Sequence, residues 1–236
     1  MSVSPNQRNI LVILLFFPIA ALLLYGKDLS KSVLFQYGSN ETRKKDKLEK
    51  RYRRLYSLKQ YGDMGFGFGV RDQNQVLAWA GDYYVLEPDG ALMKADYLFP
   101  LSFVMLSQFS ADDSIEFKEP LDLSFFELYL LQHFDASRIY ALSLQGTFRE
   151  ISLNFLSPES KITNDDKNLA SFFSIKGVIY GFLFPKNFSS PFSDRFVFYF
   201  ISEDGQVGGR VLDFDVEQSF FSYDLKKKHT VAWAGL

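Results

Sequence analysis

The sequence predicts a protein of the broad α/β class, in detail a β-rich α+β fold with two mixed or antiparallel β-sheet portions and few helices, preceded by an N-terminal hydrophobic helix. Three observations predict this fold class. From Met64 onward, segments rich in β-branched and aromatic residues alternate with turns of Gly, Asp and Pro. Within the main domain, one stretch has the best helical periodicity. An unbroken apolar run stands near the N-terminus.

Composition excludes several kinds of site. The 236 residues are 47% apolar and 23% charged, as in ordinary globular proteins, but 26 Phe and 13 Tyr make the expected interior unusually aromatic. There is no Cys, and the two histidines are His133 and His229. The chain therefore cannot form a disulfide framework, a thiolate metal site or a three-histidine zinc site.

Residues 1–30 are predicted to be a membrane anchor. Ile10–Tyr25 is apolar throughout, is flanked by Arg8 and Lys27, and would span roughly 24 Å as a helix against a hydrocarbon core of ~30 Å. The segment is the predicted membrane partner, with the following domain outside the cytoplasm. A signal peptide that is cleaved to release a secreted protein is the alternative, and a domain facing the cytoplasm is another.

A basic helical linker is predicted over residues 31–56, before the main domain at 57–236. Arg43–Arg54 contains eight Lys or Arg against two acidic residues, and its apolar residues recur at helical spacing. By contrast, residues 55–236 carry 15 basic and 24 acidic side chains, a balance that repels phosphate. Nucleic acid is therefore not an expected partner.

The first half of the main domain contains a predicted hairpin and the predicted helix. Val76–Leu86 is expected to fold back at Ala80-Gly81, because strand-like residues flank a short turn. Ser124–Phe134 is expected to be helical, since Ser124 and Glu127 form a capping box and apolar residues recur every three or four positions.

The second half is predicted to be almost entirely β. A second hairpin is expected to turn at Gln145-Gly146, and a subdomain boundary is expected near the polar residues 157–168. Three further strands are predicted at Ile175–Phe184, Arg195–Ser202 and Arg210–Val216.

Four segments, in order and at similar spacing, resemble the alpha-acetolactate decarboxylase family over roughly Ser57–Glu217. They combine Gly-rich turns with aromatic strands, and each is weak alone. The segments are GDMGFG at 62–67 with the strand and turn DYYVLEPDG at 82–90, GTF at 146–148, IKGVIYGF at 175–182, and SED followed by GG and VLDF at 202–214.

The resemblance implies a zinc-dependent decarboxylase that converts 2-acetolactate to acetoin and CO2, usually as a dimer. The family's zinc-ligand positions correspond to Val197, Tyr199 and Arg210. Valine has no lone pair, neutral tyrosine is a poor ligand, and arginine would place a cation where the metal belongs. The family uses zinc, but no cofactor is expected here.

Three further site positions follow from the resemblance. The family's threonine corresponds to Phe68, its acidic residue to Asp82 and its arginine to Asn154, so only Asp82 keeps its chemical type. Decarboxylation of a 3-keto acid needs an electrophile to hold the developing enediolate, which one carboxylate does not supply.

We therefore expect a membrane-tethered, non-catalytic binding or scaffold protein, with a protein partner or a second copy of itself. Its pocket would be lined by Phe68, Val197 and Tyr199. Two enzymatic alternatives stay open. One is an active acetolactate decarboxylase, and the other is a metal-free proton-transfer enzyme in which Asp82 and Arg210 pair in the former metal pocket.

Overall fold

A computed structural model describes residues 31–38, 52–70, 74–155, 168–188 and 194–232. The predicted membrane segment Ile10–Tyr25 lies outside these ranges, as do residues 39–51 of the predicted linker. Within the described ranges, no helix combines the length and the apolar character needed to cross a membrane.

The described residues form many strands and two short helices. The strands are β1 (Val33–Tyr37), β2 (Arg53–Arg54), β3 (Met64–Gly69), β4 (Gln75–Trp79), β5 (Asp82–Leu86), β6 (Leu92–Lys94), β7 (Pro100–Ser107), β8 (Asp113–Phe117), β9 (Leu121–Asp122), β10 (Ile139–Asn154), β11 (Leu169–Leu183), β12 (Phe196–Ser202), β13 (Gly208–Lys226) and β14 (Lys228–Ala232). The helices are α1 (Leu55–Leu58) and α2 (Leu123–His133), and a 3-10 turn covers Lys59–Tyr61.

Two sheets account for these strands, and they confirm the predicted fold class. The first sheet runs in the order β14-β1-β7-β3-β4-β5-β6, with β2 also paired to β7. It is mixed, because β1 and β14 are parallel while the other pairs are antiparallel. The second sheet is antiparallel in the order β10-β11-β12-β13-β8, and β10 also pairs with β13, which bends the sheet back on itself.

The main core lies between the two sheets. It contains residues of both sheets and of α2, and it accounts for much of the aromatic composition. A second cluster covers the opposite face of the first sheet, where Leu55 and Leu58 of α1 pack on Val104 and Leu106 of β7. The first sheet is therefore buried on both faces, which explains why all six residues of β3 are buried.

Strand β3 alternates glycine with phenylalanine for a steric reason. Phe66 and Phe68 are fully buried and belong to the core between the sheets. On the other side, a Cβ at Gly65 would come within 2.0 Å of the Met105 carbonyl oxygen, and the φ of Gly65 is +151°. The glycine thus allows β7 to approach a strand whose other face carries large rings.

The predicted hairpin at Gln145-Gly146 is wrong, because β10 continues without interruption through this point. Both edges of β10 are paired, to β11 on one side and β13 on the other. A register shift occurs just after Gly146, where a Cβ would meet the Gln218 carbonyl oxygen at 2.7 Å. The glycine therefore marks a close approach at a bulge rather than a reversal of the chain. By contrast, β4 and β5 form the predicted hairpin at Ala80-Gly81.

The predicted helix forms as α2, but its cap differs from the prediction. Asp122 is the N-cap, and its side chain accepts a hydrogen bond of 2.7 Å from the Phe125 amide. Ser124, the expected cap, lies inside the first turn. Phe126 and Leu130 form the buried face of the helix. The short strand β9 ends at Asp122, so the helix begins directly after this residue and not at Ser124.

The sheet includes a segment that was predicted to belong to a linker. β1 lies within residues 31–56, yet Leu34 is fully buried and β1 pairs with β7 and β14. The apolar content of VLFQY was the available signal. Likewise, β10 and β11 flank the subdomain boundary predicted near 157–168, but they pair with each other. Asn154 lies opposite Leu169 at one end of this pairing, and Tyr140 lies opposite Leu183 at the other. Both strands therefore belong to one sheet.

A buried ion pair joins the two ends of the described chain. The Lys226 ammonium donates to Asp224 at 2.6 Å, to the Lys31 carbonyl at 2.7 Å and to the Gln108 carbonyl at 3.0 Å. Its side chain is fully buried. Burial lowers the pKa of Lys226, and the Asp224 carboxylate opposes that shift. The ammonium is therefore held in place by three oxygen acceptors.

Replacing Lys226 tests the structural role of this buried ion pair. In Lys226→Met, Asp224 loses its cation in a buried setting, which typically lowers the free energy of unfolding by about 3–5 kcal/mol. Urea denaturation measures the change. The matched variant Lys227→Met alters an exposed neighbour and should change stability by less than about 0.5 kcal/mol. Equal effects from the two variants would contradict a structural role for the pair.

Candidate cleft and the former metal positions

A cleft of about 690 Å³ opens where loops from both sheets meet. The β4–β5 turn contributes Trp79 and Asp82, the β12–β13 turn contributes Glu203 and Asp204, and β11 contributes Lys176. These residues line one cleft although they are far apart in sequence and belong to different sheets. The cleft is the candidate ligand site of the described residues.

Two tight turns shape the rim of the cleft. Ala80 and Gly81 both have positive φ, +53° and +85°, as a two-residue hairpin turn requires. A non-glycine residue at positive φ is uncommon. In the β12–β13 turn, the Ser202 hydroxyl donates to Asp204 at 2.6 Å and the Gln206 amide donates at 3.1 Å. These bonds hold the pKa of Asp204 below its ordinary value.

The cleft is acidic. Four carboxylates line it, against one lysine: Asp82, Glu203, Asp204, Glu217 and Lys176. Asp82 is about half exposed and forms an ion pair of 2.9 Å with Lys94, a solvent-exposed side chain. Since that pair lies at the surface, water screens it strongly. The cleft therefore favours cations over anions.

Aromatic rings close the floor of the cleft. Trp79 stacks on Tyr180 with 5.3 Å between ring centroids. Tyr180 is fully buried, and burial raises its pKa well above the ordinary value. In the sheet register Tyr180 lies opposite Tyr199. The rings of Trp79 and Tyr180 thus separate solvent in the cleft from the interior around Tyr199.

The three positions that the resemblance assigns to metal ligands share one face of the second sheet. Tyr199 lies opposite Arg210 in the register, and Val197 is two residues before Tyr199 on β12. Period-two alternation therefore points all three side chains toward the first sheet. Val197 and Tyr199 are fully buried.

Aromatic residues fill the space that these positions face. Phe66 lies 4.9 Å from Tyr199 and 6.0 Å from Phe182, measured between ring centroids. Phe68 and Phe103 extend the cluster, with 5.8 Å between their centroids. The predicted pocket lined by Phe68, Val197 and Tyr199 is therefore wrong, because these side chains pack in the core between the sheets.

Comparison with known proteins gives the chain its family. The sequence pattern of the family described as alpha-acetolactate decarboxylase matches residues 34–234, which is most of the chain. The chain belongs to the alpha-acetolactate decarboxylase family.

Individual relatives have low sequence identity to the chain, but they match most of its length. The chain is 27% identical over 171 residues to the alpha-acetolactate decarboxylase of Bacillus licheniformis, covering 70% of this chain and 68% of that protein. It is 23% identical over 175 residues to the enzyme of the same name from Methanosarcina mazei, covering 71% and 61%. These identities establish common descent and leave room for change at individual site residues.

Solved structures show the same fold. The alpha-acetolactate decarboxylase of Bacillus subtilis strain 168 superposes with a TM-score of 0.74 at 19% identity, covering 87% of this chain and 90% of that one. A Staphylococcus aureus protein of unknown function, similar to alpha-acetolactate decarboxylase, gives 0.73 at 18% identity, covering 86% and 89%.

The zinc of the decarboxylase family does not fit the residues at its expected site. Val197 offers no donor atom, and the Tyr199 ring packs at a tilted angle against the apolar ring of Phe66. Arg210 forms an ion pair with Asp194 and contributes a permanent positive charge. Within the described ranges, no three His, Asp or Glu side chains are grouped as a metal site requires.

The predicted pair between Asp82 and Arg210 is wrong. Asp82 lies at the mouth of the cleft with Lys94, whereas Arg210 lies on β13 with Asp194. Asn154, the remaining family position, lies opposite Arg210 at the end of β10. The family positions therefore differ in burial: Val197 and Tyr199 are fully buried, Arg210 is partly exposed, and Asp82 lies at the cleft.

Neither histidine lies in the cleft. His133 is exposed at the end of α2, where Nδ1 is 2.9 Å from the Tyr129 carbonyl oxygen. His229 lies on β14, and its Nε2 is 3.1 Å from Gln36 Oε1. The Phe188 ring packs 4.9 Å from the His229 ring. Burial lowers the pKa of His229.

Sequence reasoning identified Asp82 but missed the rest of the cleft. Trp79 stood within a predicted hairpin, and Glu203 and Asp204 stood in a predicted turn. The available signal was that these turns are Gly-containing and carry charged or aromatic residues. Their convergence depends on which strands are neighbours, and that pairing order was not visible from the sequence.

Removing a ring from the core between the sheets should cost much stability. Phe66 contacts Tyr199 and Phe182, so Phe66→Ala leaves a cavity and should lower the free energy of unfolding by about 3–5 kcal/mol. Phe173→Ala is the matched control, because the Phe173 side chain is exposed. Urea denaturation measures both changes, and an equal loss of stability in the two variants would contradict this packing.

His229 should make the fold sensitive to mild acid. Its pKa is lowered from the ordinary 6.5, so the unfolded chain takes up a proton at a higher pH than the folded one. Stability should therefore fall as pH drops below 6.5. Thermal unfolding across this range should show a smaller acid loss for His229→Gln than for the native chain. His133→Gln should retain the full loss; equal profiles for all three proteins would refute the assignment.

Proposed function

We propose that this protein is a non-catalytic member of the alpha-acetolactate decarboxylase family, tethered to a membrane by Ile10–Tyr25 and acting as a binding or scaffold component. The observation that carries the proposal is the aromatic packing at the former ligand positions. Val197 and Tyr199 are buried among rings, and Arg210 is paired with Asp194.

The electrostatics of the cleft support the proposal. 2-Acetolactate is an anion, whereas the cleft presents four carboxylates and one lysine. Like charges disfavour its entry and would also oppose the negative charge that develops on the substrate as CO2 leaves. An acidic cleft with Trp79 in its floor is better suited to a cationic group. This group could belong to a small ligand or to a partner protein.

The position of the apolar segment supports the tether. Ile10–Tyr25 ends six residues before Lys31, where the described fold begins. The main-chain carbonyl of Lys31 is bonded to Lys226, so the fold starts directly at the end of this short connection. A tether of this length would keep the domain close to the bilayer.

Acetolactate decarboxylation is the second candidate. Family membership favours it, since the relatives from Bacillus licheniformis and Methanosarcina mazei are named alpha-acetolactate decarboxylases. The metal-free version with Asp82 and Arg210 has no geometric support, because each of these residues is paired elsewhere.

Purified full-length chain distinguishes the candidates. We expect no zinc retained after dialysis and no acetoin formed from 2-acetolactate above the spontaneous rate, with or without added zinc. Elemental analysis and acetoin determination on one sample provide both readouts. The Bacillus subtilis enzyme, assayed in parallel, is the positive control.

The opposite result would be equally clear. Stoichiometric zinc, together with acetoin formation that disappears in Asp82→Asn, would establish decarboxylase activity and refute the non-catalytic proposal. Glu116→Gln, a change at an exposed carboxylate outside the cleft lining, is the matched variant and should leave either outcome unchanged.

A further inference from the structure

Exposed tyrosines and neighbouring basic residues that are exposed or partly exposed lie together on the outer side of the first sheet. We call this surface the tyrosine-basic patch. It comprises Tyr52, Arg53, Arg54, Tyr56, Lys59, Tyr97 and Leu98.

Hydrogen bonds join the two chain segments that make up the patch. The Arg54 guanidinium donates to the Leu98 carbonyl at 2.6 Å, and the Tyr56 amide donates to the Tyr97 carbonyl at 2.9 Å. β2 also pairs with the beginning of β7. The patch is therefore part of the folded domain rather than a feature of a loose segment.

The large side chains of the patch point into solvent. Tyr56, Tyr97 and Leu98 are 61%, 62% and 57% exposed. Monomeric proteins rarely group exposed apolar residues in this way without a binding partner. The outer cluster of buried residues, including Leu55 and Leu58, lies directly beneath and supports them.

Cations lie among these rings. The Lys59 ammonium is 4.6 Å from the centre of the Tyr97 ring, and the Arg54 guanidinium is 5.3 Å from that of Tyr52. Tyrosine rings with neighbouring Lys and Arg are typical of protein surfaces at the membrane interface. There the ring enters the headgroup region and the cation meets lipid phosphate.

Charge separates this face from the rest of the domain. The patch carries three basic side chains, and Asp96, which precedes Tyr97 directly, is an exposed acidic residue next to it in the sequence. Residues 55–236 as a whole have nine more acidic than basic side chains. A domain that is negative elsewhere should turn this face, and not its cleft, toward an anionic surface.

The patch also lies near the strand that follows the predicted tether. The Arg53 guanidinium is 6.0 Å from the centre of the Tyr37 ring, at the end of β1. From Lys31 to Tyr37 an extended chain covers roughly 20 Å at most. The patch and the start of the described fold are therefore close enough to meet one bilayer surface.

We propose that the tyrosine-basic patch rests on an anionic lipid surface and orients the domain with the outer face of its first sheet toward the membrane. This goes beyond the proposed function, because a tether alone leaves the domain free to rotate. The second sheet would face away from the bilayer.

A single fluorescent label tests this contact. Because the chain has no Cys, Gln60→Cys labels one exposed position beside the patch with an environment-sensitive dye. The full-length protein is added to vesicles of phosphatidylcholine with or without phosphatidylglycerol. We expect a blue shift that requires phosphatidylglycerol. The same dye at Ala136→Cys, exposed after α2, should not shift.

Charge variants test the cause. Arg53→Gln combined with Lys59→Gln should reduce the shift on phosphatidylglycerol vesicles to the value on phosphatidylcholine alone. Lys118→Gln combined with Lys186→Gln removes the same charge from exposed sites elsewhere and should leave the shift intact.

Three results would overturn the proposal. They are no shift on phosphatidylglycerol, an equal shift on both kinds of vesicle, and a shift that follows protein concentration without lipid, which would indicate an interface between copies. The tether is tested separately, by salt-resistant association of the protein with neutral vesicles. If this association is absent but the dye shows a salt-sensitive blue shift on anionic vesicles, the result would support the patch and refute the tether.

Discussion

Packing of aromatic rings between the two sheets is the constraint on which the rest of this structure depends. Phe66 on β3 and Tyr199 on β12 bring the sheets into contact, and Phe182 completes the same cluster. Glycines alternate with these phenylalanines in β3, because a Cβ at Gly65 or Gly67 would meet a carbonyl oxygen of β7 at 2.0 or 2.7 Å. Likewise, a Cβ at Gly181 on β11 would meet the Val197 carbonyl oxygen at 1.9 Å.

The same packing determines where polar chemistry can occur. Val197 and Tyr199 are buried in this cluster, and the charged groups lie at its margins. Carboxylates gather at the cleft beside Trp79, and Arg210 of β13 pairs with Asp194, which precedes β12. The basic side chains of the tyrosine-basic patch lie behind the first sheet. The family fold is retained, and the charged groups described here lie on separate surfaces around the aromatic cluster.

Much of this organisation followed from local sequence signals, and the failures have a common physical cause. The β4–β5 hairpin and helix α2 were predictable because turn chemistry and 3.6-residue periodicity are local. The hairpin predicted at Gly146 was wrong, because the sequence does not distinguish a glycine required by the close approach of a neighbouring strand from a glycine required by a turn. The predicted Asp82–Arg210 pair failed for a similar reason: the resemblance placed both residues in one site, but Asp82 pairs with Lys94 and Arg210 with Asp194. Long-range pairing decided each of these cases.

The parallel pairing of β1 with β14 has a consequence for the order of synthesis. The Lys31 carbonyl receives its hydrogen bond from Lys226, which is 195 residues further along the chain. A ribosome therefore makes β1 long before its neighbour β14. Until β14 has been synthesised, the edge of β1 that pairs with it stays unpaired. Closing a loop of this length favours late docking. The described domain is thus expected to complete its first sheet only as the C-terminal strands emerge.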